Sequence, residues 1–195
     1  MSSTTLSMPR EALNTPKLFD IRFDFPDWAE KKITRACVKF VNKLSAKGQS
    51  ADYYAENRRA NAETAKLNLL GSKRGEFYAA GIMRHMFGAP VLLPDLRVRH
   101  GHFKGWECDL PYEQLPVHVK ICTDQTHNIV GDYSWTLQWN NTSNRGGRDK
   151  LFNLPDHAKD VLVLLHLEND YSREATLKAI LPWTEARKYL KPPRV

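Results

Sequence analysis

Three short stretches of the sequence carry side chains that could do chemistry together: Glu76, the run Glu107-Cys108-Asp109, and the triplet His118-Val119-Lys120. If the second is extended, Glu107 and Asp109 point to one face and Trp106 and Cys108 to the other. Pro111 follows closely, so Asp109 falls at a strand end or bend, where scaffolds present functional groups. In the third stretch, Val117, Val119 and Ile121 alternate with His118 and Lys120. The segment Leu110–Val117 is short enough for a hairpin-type connection, which sets Asp109 beside the polar pair on an antiparallel neighbour. A carboxylate, an imidazole and an ammonium group gathered this way suit phosphodiester hydrolysis. The carboxylate binds a hard divalent cation, the cation polarises phosphate and activates water, and Lys offsets developing charge.

Each element also has a plainer reading. The acids would be solvent-facing on an edge strand, and His118 and Lys120 the wet side of an amphipathic strand. On a helix from Lys73 to Phe87, Glu76 shares a stripe with Ala79, Ala80, Met83 and Phe87. Turned inward, its carboxylate costs several kcal/mol unless a cation meets it; turned outward, it is a first-turn Glu favoured by the helix dipole. Asp124, four residues beyond Lys120, is a reserve acid near the strand's end. A zinc site drawn from His100, His102, Cys108, His118, Cys122 and His127 competes, although no C-x-x-C occurs. His166, inside an apolar run, reads as a hydrogen-bonded core histidine, and His85 as a cation at a helix end. Arg145, Arg148 and Lys150 sit in a polar, glycine-containing segment that reads either as a phosphate-contacting loop or as a solvated connector.

The elements that must position these residues follow from periodicity. The first twenty-five residues show turn-formers and little pattern. A helix opens near Asp27 behind Pro26, with Trp28, Ile33, Cys37, Phe40, Val41 and Leu44 at three- and four-residue spacing, and Gly48 stops it. Lys39 and Lys43 belong to its basic surface, which could lie along a duplex backbone. Ser50 caps a second helix ended by Gly71; Ser72 caps a third that ends before Gly88. Ala89–His100 and Phe103–Leu110 read as strands, as does Val117–Ile121, with Ser134–Trp139 a further short candidate. Val161–Leu167 is a near-continuous apolar run of the kind buried on both faces, Thr176–Leu181 another strand, and Trp183–Leu190 a terminal helix. The expected order is α-α-α-β-β-β-(β)-loop-β-β-α: an α/β (α+β) protein with a central mixed sheet flanked by helices. Residues 1–71 read as a tail and basic helical extension, and 72–195 as the core.

The 195 residues carry 29 Lys+Arg against 22 Asp+Glu, a net of +7. Counted along the sequence, residues 1–75 hold +6 (14 − 8), 76–135 hold −2 (5 − 7) and 136–195 hold +3 (10 − 7). Basic flanks would grip phosphates while an acidic centre held cations. No apolar run approaches the roughly 18–20 residues that cross a bilayer, and no secretory signal is visible at the start. Three scattered cysteines fit a reducing cytoplasm rather than a disulfide framework.

Glu76 on a helix, then Asp109, then His118-Val119-Lys120 on an apolar strand resembles the PD-(D/E)xK nuclease superfamily. The resemblance runs from roughly Ser72 to Leu167 and extends to Ser134-Trp135-Thr136-Leu137-Gln138. It implies a restriction-endonuclease-like αβββαβ core and a metal-dependent DNA endonuclease using Mg²⁺ or Mn²⁺. Asp109 would be a metal ligand, Lys120 the catalytic lysine and Glu76 an accessory ligand. Arg145, Arg148, Lys150, Lys39 and Lys43 would contact DNA, and a homodimer would be compatible. His118 stands where the family carries Asp or Glu. It would serve as metal ligand or base, leave the work to Asp109 with Glu107 or Glu76, or mark a disabled centre that only binds nucleic acid or protein. Imidazole suits Mn²⁺ better than Mg²⁺.

Overall fold

The computed structural model describes residues 17–46, 62–87, 93–96, 109–112, 115–124, 135, 160–169 and 172–189. Its elements are β1 (Lys17–Asp24), α1 (Asp27–Ala46), α2 (Ala62–Phe87), β2 (Leu110–Tyr112), β3 (Leu115–Thr123), β4 (Val161–Leu167), β5 (Glu174–Pro182) and a short α3 (Trp183–Ala186), which runs into a 3₁₀ turn at Arg187–Tyr189. The strands form one mixed sheet in the order β1-β5-β4-β3-β2. β3 and β4 are parallel, and the other neighbours are antiparallel. The coarse expectation of a mixed sheet with helices therefore holds.

The two faces of the sheet have different covers. α2 lies over the face carrying Val117 and Val119 of β3 and Val161, Val163, Leu165 and Leu167 of β4, and Ile121 packs at its margin. The helix backbone comes close to β3 at Gly75, where a Cβ would fall 2.0 Å from Ile121 Cδ1. Leu162 and Leu164 point the other way and pack with Ala179, Leu181 and Trp183. β4 is thus buried on both faces, as its unbroken apolar run requires. In β5, Lys178 is an extra residue between the pairs Leu164↔Ala179 and Leu165↔Leu177. This bulge flips the strand's parity. Ala175 and Leu177 face α2 before it, and Ile180 does so after it, while Ala179 and Leu181 turn to the second face.

α1 stacks outside α2 through Cys37, Phe40, Val41 and Leu44 against Leu70. Arg74, fully buried, ties the layers together. Its guanidinium donates to Glu30 Oε1 of α1 (2.8 Å), to Tyr78 OH (2.9 Å) and to the Ser172 carbonyl ahead of β5 (3.1 Å). Tyr78 OH donates to that same carbonyl at 2.9 Å, and Phe25 stacks on the Tyr78 ring. Burial holds the Tyr78 hydroxyl above its usual pKa, against the pull of Arg74.

Several expectations need correction. Gly71 and Ser72 do not end one helix and begin another; both lie inside α2, so the division expected at 71/72 falls within a helix. Gly71 and Gly75 are buried, and tertiary packing outweighs the roughly 1 kcal/mol that each glycine costs a helix. The segment before Pro26 is not patternless either. Phe19, Ile21 and Phe23 alternate with Asp20, Arg22 and Asp24, and the run pairs with β5. The partner of β3 is Leu110–Tyr112, beyond the expected Phe103–Leu110, and residues 93–96 are not strand. The remaining parts of 89–108, and the candidate strand at 134–139 apart from Trp135, lie outside the described residues. No helix among the described residues is long and apolar enough to cross a membrane.

Candidate active site

β2 and β3 pair at Leu110↔Val117, Pro111↔Pro116 and Tyr112↔Leu115. One residue before the first of these pairs, Asp109 does not continue the backbone ladder. Its side chain takes over, and Oδ2 accepts the Val119 N–H at 2.8 Å. The carboxylate is therefore fixed against the edge of β3 at the position between His118 and Lys120. A strand edge offers unpaired N–H groups, and an acid at the point where two strands part satisfies one of them. Asp109, His118 and Lys120 are all partly buried.

His118 and Lys120 lie on the sheet face away from α2, since Val119 and Ile121 face it. On that face Asp160 immediately precedes β4, and it is almost wholly buried. The His118 Nε2–H donates to Asp160 Oδ2 at 2.8 Å. This bond fixes the orientation of the imidazole ring over the start of β4. The Asp160 carbonyl in turn accepts the Trp183 N–H at 2.8 Å, which anchors the dyad to the start of α3. A second pair of the same kind lies further along the face: His166 Nε2–H donates to Asp124 Oδ1 at 2.7 Å, and Trp135 Nε1–H donates to the Leu165 carbonyl at 2.9 Å. The hydrogen-bonded reading of His166 holds.

Glu76 does not join this group. It is buried, as the inward reading required, and the cation that meets it is Lys73 on the preceding turn. Lys73 Nζ donates to both carboxylate oxygens, at 2.6 and 2.7 Å, and reaches over the Phe40 ring of α1. α2 covers the opposite face of the sheet from His118 and Lys120, so the sheet itself stands between them. No three His, Cys, Asp or Glu side chains among the described residues come together as a metal-holding group. The ligand set Asp109, Glu76 and His118 is corrected accordingly: register brings Asp109 and His118 together, and Glu76 is spent on an internal ion pair. Cys37 is close by, and burial pushes its thiol up to about 12.

Lys39 and Lys43 are exposed on α1, in the layer outside α2 and remote from the Asp109 edge. Arg145, Arg148, Lys150 and Glu107 lie outside the described residues, as do His100, His102, Cys108 and His127 of the zinc reading. His85 is exposed in the last turn of α2, edge-on to Phe23. The residue that sequence reasoning missed is Asp160. Its signal was present: it abuts an apolar strand and shares the parity of Leu162, the register partner of His118. Comparison of the chain with protein-family models, curated proteins and solved structures found no match, so the chemistry of the site has to be read from its own geometry.

Proposed function

We propose that the chain is a divalent-cation-dependent nuclease hydrolysing phosphodiester bonds, with DNA as substrate, and that its centre is the parting of β2 and β3. The observation that carries this reading is the Asp109 carboxylate seated on the Val119 N–H between His118 and Lys120. What supports the reading in the fold is partial: α2 is followed by the antiparallel pair β2–β3 and then by β4 parallel to β3, which is a part of the order that the resemblance implies.

Asp109 fits a hard cation: Mg²⁺ or Mn²⁺ is commonly held by one or two carboxylates, with water and substrate phosphate filling the remaining positions. Such an ion would polarise the scissile phosphate. His118, oriented by Asp160, offers an imidazole that can take a proton from an attacking water or join Asp109 as a nitrogen ligand. Lys120, two residues along the same face, sets positive charge against the developing negative charge of the transition state. Lys39 and Lys43 would hold phosphate away from the centre and add affinity without sequence preference.

A second reading is a nuclease-fold module that binds nucleic acid without cutting it. The pairing of Glu76 with Lys73 favours it, because an acid expected at the centre is neutralised elsewhere. Nicking of supercoiled plasmid with no metal, Mg²⁺ and Mn²⁺, alongside salt-dependent DNA binding by anisotropy, separates the two. Metal-dependent nicking supports the nuclease. Tight binding with no nicking under any metal supports the module, and neither binding nor nicking overturns both.

A further inference from the structure

β1 ends the sheet: among the described residues no strand lies beyond it. Edge strands are ordinarily blunted by charge, because unpaired backbone groups template further pairing. β1 does carry charge, but in a self-complementary arrangement. Asp20 and Arg22 flank Ile21 and are 80% and 68% exposed at their side chains. Both already have opposite charges on the β5 side: Asp20 accepts from Lys178 at 2.5 Å, and Arg22 pairs with Glu174. Leu18, on the same face as Asp20 and Arg22, is 84% exposed, and Ile21, on the α2 face, is 40% exposed.

We propose that β1 is the surface through which two copies of this chain associate, edge to edge and antiparallel, about a two-fold axis at Ile21. Antiparallel self-pairing places residues whose numbers sum to a constant opposite one another. With Ile21 opposite its own copy, Asp20 faces the partner's Arg22 on one face and Phe19 faces the partner's Phe23 on the other. The charges then alternate across four strands, from Lys178 to Asp20, on to the partner's Arg22 and the partner's Glu174. Shifting the axis to Arg22 sets that arginine against its copy and Asp20 against the partner's Asp24. Opposed charges stabilise a cross-strand pair and like charges destabilise it, so the charge pattern selects a register as well as a partner. A single strand pair with a short apolar row is a small interface, and the association is correspondingly weak and concentration-dependent.

Sedimentation velocity from dilute protein up to about 1 mM tests this. The wild-type chain should shift toward a dimer with concentration and return toward monomer as salt rises. R22D alone and D20R alone should each stay monomeric, because each sets like charges opposite. An equimolar mixture should recover association, because the two strands again complement each other; far-UV circular dichroism confirms that each variant is folded. Independently, I21C in a C108S background should form a chain-to-chain disulfide under mild oxidation, since directly opposed Cα atoms fall within disulfide reach, whereas L18C should not. A wild-type chain that stays monomeric throughout, association that R22D leaves unchanged, or L18C cross-linking as fast as I21C would each overturn the proposal.

Discussion

The ion pair inside the helical layer makes the sharpest quantitative demand on the fold. Lys73 and Glu76 are 4% and 5% exposed at their side chains, with both carboxylate oxygens on the ammonium group. Replacing Glu76 with Gln leaves a buried ammonium without its counter-charge, and replacing Lys73 with Met does the same to the carboxylate. Breaking a buried pair from one side costs about 3–5 kcal/mol, whereas replacing both partners with well-packed apolar groups is often close to neutral. For a chain of this size, 1 kcal/mol corresponds to about 2–4 °C in Tm, so each single variant should melt roughly 6–20 °C lower. The pair Lys73→Met with Glu76→Leu should recover most of that loss. Thermal unfolding by circular dichroism with a double-mutant cycle reads it directly. Single variants that each lose less than about 2 °C, or losses that simply add in the double variant, would refute the assignment of Glu76 to a structural pair. Adding Mn²⁺ to the Lys73→Met protein should leave its Tm unchanged, because no metal-holding group among the described residues includes Glu76.

Other consequences follow from the same packing. Gly75→Ala should destabilise by about 1–3 kcal/mol, because its Cβ would meet the Ile121 side chain at 2.0 and 2.6 Å; combining it with Ile121→Ala should cost less than the two changes summed, as urea denaturation would show. Burial raises the Cys37 thiol from 9.0 to about 12, so the folded state favours the protonated form. The associated stability is fully present below pH 9.0 and fades as pH climbs toward about 12, and iodoacetamide at pH 8 should label Cys37 only after unfolding. Reversing charge at both Lys39 and Lys43 should weaken DNA binding across all sequences and lower the salt slope by about 2, without slowing cleavage of bound DNA.

Much of the frame was legible in the chain. Val161–Leu167 is apolar throughout because both of its faces are covered, and the alternation at Val117–Ile121 divides β3 between the α2 face and the face of His118 and Lys120. Asp27 opens α1 behind Pro26, as the helix-start signals indicate. What failed was local punctuation overruled by tertiary contact. Gly71 and Ser72 look like a stop and a start, yet Gly71 and the turn after Ser72 are buried and the helix backbone continues through both. β1 was hidden by Pro9, Asn14 and Pro16 nearby, although its own alternation was present. The candidate site was legible in part. Strand parity and a short connection bring Asp109 to the His118–Lys120 edge, but partners of a buried charge are not encoded by spacing across the whole chain. Asp160 meets His118 only because β4 runs parallel to β3 in one register. Lys73, one helical turn from Glu76 on the same face, was the simplest answer to an inward-turned acid.

The most direct measurement is the single-turnover rate of plasmid nicking in Mn²⁺ by the wild-type chain and by Asp109→Asn. Asparagine keeps a side-chain oxygen to accept the Val119 N–H, so the edge of β3 is preserved while the charge is lost. Nicking by the wild type that falls by about 10² or more in Asp109→Asn and in Lys120→Ala, with Tm values unchanged, is the predicted result. Nicking that proceeds equally in all three proteins, or that is absent from the wild type with Mg²⁺ and Mn²⁺ alike, would contradict the account.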